Sequence, residues 1–462
     1  MKEGVLPQLL TKIPGPKSCE WALRLRQHES RNVTYVSQRF PIFWERAQGA
    51  NVWDVDGNQF LDLTSGFGVA TTGFGAAHLV NAYEQQSAQL YHAMGDVHPT
   101  RMKVELCEQL SRLTYERWGA GLGKVVLGSA GFEAVEAALK TAYLKTRKPQ
   151  VIAFTGSYHG LGYGALSVTG RHDFRSPFRS QLKDIAHFLP YPSCHHCPYD
   201  ISHSACSVLG EAPRCHESCL NDLEQSIRLL AKTGDVGAVL VEPVQGRGGE
   251  IVPPQDFLPM LRRVCDETGL LLIFDEIYTG FYRTGTLMAC DASSVVPDLI
   301  CLGKAMSGSF PISACVGKAD VMDAWPESTG EALHTSTFLG HPVGCALALA
   351  SLKEWLNPQI AERVRTAEGL WKEELAVLAG AQDVMDIRGR GLLWGIELRD
   401  AYGHALASRT GRIMEEALAR GLILLGGGVE GNVLSLSPSL SLTQEEIRWS
   451  ISLIHNLLKS RA

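Results

Sequence analysis

Two short apolar runs in this chain each stop at a charge. Residues 270–285 read LLLIFDEIYTGFYRTG and reach the acidic pair Asp275–Glu276, and residues 299–310 read LICLGKAMSGSF and reach Lys304. Both runs are rich in Leu and Ile, as fully buried parallel strands are. A buried strand that stops at an acid or a lysine sets that charge at the carboxyl edge of an open sheet. Ligands of α/β proteins bind at that edge. A carboxylate facing a lysine there suits a Schiff-base lysine under a cofactor ring, with the acid on the ring nitrogen. The plain alternatives are a surface lysine after a strand and an exposed acid at a strand end.

Elements on either side must hold these two residues. Strand-like runs VVLG (125–128), VIAFTGSYHG (151–160) and GAVLVEP (237–243) alternate with helical patterns at 129–145, 221–233 and 255–268. Such alternation predicts a largely parallel sheet flanked by helices. Upstream, a short helix is expected near 19–28. The meander FWERAQGANVWDVDGNQFLDLTSG (43–66) turns at Asp56-Gly57 between alternating runs. Residues 79–93 and 101–117 have helical periodicity, with Pro99 as a start signal. After helical stretches 342–356 and 358–378 comes a separate C-terminal unit, with strands at 392–398 and 433–438 and helices at 405–419 and 443–459. The expected division is 1–65 as part of a small domain, 66–345 as the large domain and 346–462 as the rest of the small domain.

The bulk composition excludes some functions. With 462 residues, 45% of them hydrophobic and 20% charged, the chain is an ordinary globular enzyme in make-up. A formal net charge of -6 offers no basic field for nucleic acid or anionic membranes. No apolar run reaches the roughly 18 residues of a membrane span. The start, MKEGVLPQLLTKIPGPK, lacks the apolar core of a signal peptide, so a cytoplasmic location is expected.

Taken together, the motifs VWDVDGNQFLD, AGFEAVEAALK, YHG, EPVQGRGG, LLIFDEIYTGFYRTG, LGKAMSG, HTSTFLGHP and GRGLLWGIEL stand in an order that resembles the class III pyridoxal-phosphate (PLP) aminotransferases of fold type I. The match runs from about residue 40 to the C-terminus. It implies a large α/β domain with a mostly parallel central sheet and a small α+β domain. It also implies PLP as cofactor and transfer of an amino group from an amine or amino acid to a keto-acid or aldehyde acceptor. Lys304 would then be the Schiff-base lysine and internal base, and Asp275 the partner of the pyridinium nitrogen. Gly131 and Phe132, opening a helix, would offer N–H groups to the phosphate, with Ala130 where relatives usually carry a hydroxyl. Tyr158 would stack on the ring, with His159 and Gly160 completing its turn. Tyr278 would stand near the ring's phenolic oxygen. Thr337 resembles a threonine that reaches the phosphate in the neighbouring subunit, which implies a homodimer with shared sites. An amino-acid racemase or epimerase on the same scaffold is the alternative activity.

Two departures bear on the substrate. Leu161 follows the Tyr-His-Gly turn where many relatives have a carboxylate-binding arginine, and Ser435 in VLSLSPSL stands where they have another. Serine cannot replace a bidentate guanidinium. Glu242 thereby loses its expected cation, and Arg247 occupies a position often acidic in the family. Glu242 is expected to meet Arg247 or a polar or cationic substrate, and both are candidate substrate-binding residues. Arg171, Arg283 and Arg390 remain as other carboxylate partners.

Residues 190–219 read PYPSCHHCPYDISHSACSVLGEAPRCHESC. Cys194-x-x-Cys197 and Cys215-x3-Cys219, with Cys206, His203 and His216, resemble zinc spacing. PLP chemistry needs no metal, so the preferred reading is an ordered loop of reduced thiols, and no metal site is assigned.

Overall fold

The structure is a computed structural model that describes residues 5–35, 37, 39–193 and 216–460. Cys194, Cys197, His203, Cys206 and Cys215 lie outside the described residues. Two compact units form. One joins the stretch up to Ala76 with the chain from Arg363 onward, and the other runs Ala77–Glu362.

The first unit begins with β1 (Trp44–Gln48), β2 (Asn51–Asp54) and β3 (Gln59–Asp62), an antiparallel meander. The Asp56-Gly57 turn forms where the sequence places it. Gly57 takes φ +86°, a left-handed conformation that glycine adopts without cost.

The second unit carries the sheet of interest: β4 (Gly123–Gly128), β5 (Gln150–Phe154), β6 (Ala186–Leu189), β7 (Val236–Val241), β8 (Leu271–Asp275), β9 (Leu299–Leu302) and β10 (Ser313–Lys318). Their spatial order is β4-β10-β9-β8-β7-β5-β6. The five strands from β9 to β6 are mutually parallel, while β10 runs against both of its neighbours, β9 and β4. Parallel strands are buried on both faces, and Val236–Val241 is buried at every position. The helix Gly131–Thr146 packs on one face through Ala134, Val135, Ala138 and Ala142, against Val151, Ala153, Ala238 and Ile273. Small alanines at helical spacing allow the helix axis to lie close to the sheet.

The chain then returns to the first unit with β11 (Val384–Arg390), β12 (Leu393–Leu398), β13 (Leu422–Ile423), β14 (Leu425–Gly427) and β15 (Val433–Leu436). Strand β13 joins β3 in parallel, and the others form a sheet of order β11-β12-β15-β14. Trp371, Trp394, Ile396, Leu434 and Ile454 make its core. The large mixed sheet with flanking helices, together with the smaller sheets of the first unit, is the α/β architecture expected from the sequence. No helix among the described residues is long and apolar enough to cross a membrane.

Candidate active site

Asp275 ends β8 and Lys304 follows β9, its parallel neighbour; Asp275 pairs in register with Cys301. The two charges therefore arrive at one sheet edge by strand pairing alone. Asp275 is 4% exposed. Its Oδ1 accepts from the Ile277 N–H at 3.1 Å, and its Oδ2 lies 2.8 Å from His159 Nδ1. His159 is itself buried, and its Nε2 has no hydrogen-bond partner among the described residues.

Glu276 points elsewhere. It is fully buried and accepts from Thr279 Oγ1 and the N–H groups of Ala289 and Cys290. Burial pushes its carboxyl up to about 7 against these three donors. Glu276 is thus a clamp on the loop after the site. Glu276→Gln is expected to lower stability by about 1–3 kcal/mol in chemical denaturation, since the amide nitrogen would face a buried N–H.

Lys304 adopts φ +46°, the left-handed region, which costs a residue with a side chain about 1–3 kcal/mol. The surroundings hold it there. Ser307 and Gly308 N–H groups close the turn onto the Lys304 carbonyl, and Ser351 Oγ and Trp355 Nε1 both donate to the Ala305 carbonyl. The Lys304 ammonium sits 4.1 Å from the centroid of the Tyr278 ring. Among the described residues it makes no ion pair. Burial lowers it to about 8, opposed by Asp275 and Glu242 and assisted by the positive charges of Arg247 and Arg283.

Glycines set the clearances. A Cβ on Gly246 would lie 2.3 Å from Tyr278 Cδ1, so the tyrosine ring rests directly on that backbone. Cβ atoms on Gly131 and Gly303 would each press on Ile277 Cγ2, at 3.1 and 3.2 Å. Ile277 is therefore wedged between the start of the helix Gly131–Thr146 and the residue before Lys304. At that helix start Glu133 accepts from the Ser129 and Ala130 N–H groups. The N–H groups of Gly131 and Phe132 meet no acceptor among the described residues and are open to an anion.

Tyr158 is half-buried, and its ring meets Phe174 edge-on at 5.5 Å. Its N–H donates to Glu242 Oε1 at 2.9 Å, while Glu242 Oε2 accepts from the Gly246 N–H at 3.1 Å. Glu242 thus ties the Tyr158 turn to the glycine-rich loop, and burial raises its carboxyl to about 7. The expected Glu242–Arg247 pairing does not form; backbone N–H groups meet both carboxylate oxygens instead. Arg247 is exposed, its guanidinium lying 5.3 Å from the Tyr158 ring centroid and 5.6 Å from that of Phe174. Of the other arginines, Arg171 is spent on Asp173, at 3.0 and 2.9 Å, and on the Arg247 carbonyl at 2.8 Å. Arg283 is fully buried, and Arg390 lies in the other unit. Leu161 is exposed, and Ser435 sits on β15 of the other unit. Thr337 is exposed in the second unit. Phe174 and Ile277 escaped the sequence reading. Each acts by filling space, and neither type nor spacing marks such a role.

Comparison with known proteins decides the family. The family described as aminotransferase class-III matches residues 33–458. This chain is a class III aminotransferase. The aminotransferase is 34% identical over 453 residues to the 4-aminobutyrate aminotransferase of Mycobacterium leprae (strain TN), covering 98% of each. It is 31% identical over 459 residues to an alanine/serine racemase of Pyrococcus horikoshii, covering 98% of this chain and 93% of that one. Among solved structures, the amine transaminase of an uncultivated Pseudomonas species in its PLP-bound form matches with a TM-score of 0.82 and 27% identity, covering 93% of this chain and 98% of that one. The aminotransferase uses PLP, as the sequence implied. Its residues fit that group: a buried strand-end carboxylate, an ammonium without a counter-ion, and two open N–H groups on a helix start.

Proposed function

We infer that Lys304 and Asp275 carry the amino-transfer reaction of this enzyme. The observation behind this is the lysine's setting: half-buried, lowered to about 8, held in a strained turn and without an ion pair among the described residues. When bound, PLP supplies an aldehyde that captures amines and a ring that takes up electrons from the carbon beside the captured nitrogen. Lys304 Nζ gives the cofactor its attachment point. Once freed by substrate, it carries a proton between carbons at either end of the reaction, a task suited to an amine titrating near working pH. Asp275, braced by His159, holds a proton on the ring nitrogen. The Gly131 and Phe132 N–H groups receive the phosphate, Tyr158 covers a ring face, and Tyr278 lines the lysine's side. Glu242 and Arg247 lie on the substrate side.

Thr337 completes the site from a partner subunit in this reading, which requires a homodimer. Segments 91–97 and 333–341 support it. His92 packs on Phe338 at 5.5 Å and Thr335 donates to Asp96 at 2.7 Å, yet Tyr91, Met94, Val97, Leu333 and Phe338 stay more than half exposed. Exposed apolar side chains on two segments in contact suit a subunit interface. Buried free thiols at Cys265, Cys290, Cys301, Cys315 and Cys345 suit a reducing cytoplasm.

The donor is an amine or amino acid and the acceptor a keto acid or aldehyde. The resemblance to a racemase supports a second reading, in which the proton returns to the opposite face of the same carbon. Adding pyruvate or 2-oxoglutarate separates them. Amino transfer is expected to show no net turnover of donor without an acceptor, whereas inversion of an amino acid in acceptor-free buffer would favour the racemase.

A further inference from the structure

The glycine-rich loop after β7 is built to hold one cation still. Gln245 and Ile251 exchange backbone hydrogen bonds at 3.1 and 2.9 Å across its base. Gln245 Nε2 donates to the Thr155 carbonyl at 2.9 Å, and the Gly249 and Glu250 N–H groups close onto the Gly246 carbonyl. Glu242 secures the loop from beneath through the Gly246 N–H. A Cβ on Gly248 would lie 2.5 Å from Gln245 Oε1, so the chain is pressed against its own base. Arg247 sits at the tip, and its backbone carbonyl is held by Arg171.

Its guanidinium then meets two aromatic rings, Tyr158 and Phe174, and no acid among the described residues. Stacking occupies the faces of a guanidinium and leaves the N–H groups along its edge free. Those donors form a fork that matches a carboxylate. The neighbouring Arg171 shows the contrast. Its fork is already closed on Asp173. Arg247 also stands beside the reaction centre, since it stacks on Tyr158 and its charge is felt at Lys304. Hence this loop presents an unspent, planar cation over Tyr158, in a chain that has Leu161 and Ser435 at the two positions where carboxylate-binding arginines were expected.

We propose that Arg247 is the carboxylate receptor of the substrate, so that the amino donor is an acid gripped from the glycine-rich loop and braced by Tyr158 and Phe174. The proposal rests on the aminotransferase reading of the Lys304 site. It places the acid group on the Tyr158 side and makes a bare amine the poorer substrate.

The test is calorimetric binding of propanoate, succinate and 3-phenylpropanoate, and of their primary amides, to the PLP-loaded enzyme. At least one carboxylate is expected to bind the wild type, and its amide more weakly. Arg247→Ala is expected to weaken carboxylate binding by about tenfold to a hundredfold, the worth of a bidentate charged contact, with Arg247→Lys between the two. The cofactor absorption band reports that each variant is folded and loaded. If no carboxylate binds the wild type, or if Arg247→Ala binds them as tightly, the proposal is overturned. Protein that binds carboxylates through Arg247 yet passes no amino group to pyruvate or 2-oxoglutarate would uphold Arg247 as a carboxylate receptor and overturn the claim that the bound acid is an amino donor to these acceptors.

Discussion

Lys304→Ala is expected to abolish amino transfer and to leave PLP bound without the absorption band of its lysine adduct. The acid–base role alone is worth about 10²- to 10⁴-fold in rate. Loss of the attachment point adds to this, because substrate can no longer enter by exchange with an amine already in place. The structural cost should be small, as the lysine side chain is only half-buried and makes no ion pair among the described residues. A thermal melt equal to or above that of the wild type, together with lost activity, separates chemistry from folding. The same lysine predicts a pH dependence. Capture of PLP by cofactor-free enzyme needs the neutral amine, whose fraction grows as pH rises past its folded value. The capture rate is therefore expected to climb through about pH 8, where burial places Lys304, and to be nearly level by pH 10. A midpoint near 10.5 would show an ordinary solvated lysine and contradict the site as described.

Asp275→Asn should give the next largest loss. The carboxylate is 4% exposed and bonded to His159 and the Ile277 N–H, so an amide of equal size fits the space. What is lost is charge. A hydrogen bond to a charged group contributes about 1.5–3 kcal/mol, so transfer should slow by roughly ten- to a hundredfold, chiefly in kcat. PLP should still bind, since its phosphate contacts are made elsewhere. An Asp275→Asn enzyme with normal kcat would show that the ring nitrogen needs no acid here. Asp275→Glu is a useful companion, because it restores charge at the wrong distance from His159 and should recover little.

Much of this was legible beforehand for a simple reason. Strands buried on both faces must be apolar throughout, so LLLIFD and LICLGK announce themselves, and their terminal charges cannot be anything but edge residues. The hairpin at Gly57 was equally open, as its alternation and turn agree. Strand β10, SACVGK, was not recognised. Its small and polar residues carry little pattern, and its place is set by pairing with β9 and β4, both distant in sequence. Helix 101–117 was expected to run unbroken, whereas the structure has an α-helix Arg101–Ser111 followed by a π-helical turn at Arg112–Glu116. The site divides in the same way. Asp275 and Lys304 were singled out by the local run, while their roles came from the family resemblance. The partnership of Glu242 could not be found in this way, because its partners are backbone N–H groups, which are invisible in a sequence. The cluster of Tyr158, Arg247 and Phe174 joins two loops and the short helix His172–Arg175, and only the fold brings them together.

The glycine contacts around the lysine have a consequence for how this enzyme can change. Gly246 leaves no room for even a methyl group against Tyr278, and Gly131 and Gly303 close on Ile277 from two sides. Variation is blocked at Gly246 and tightly constrained at Gly131 and Gly303, whatever substrate is under selection. Leu161 and Arg247, by contrast, face outward and touch no such limit. New specificities on this scaffold, whether drifted into or selected in a library, should therefore arise by exchanging side chains along one rim while the bed beneath the cofactor stays fixed.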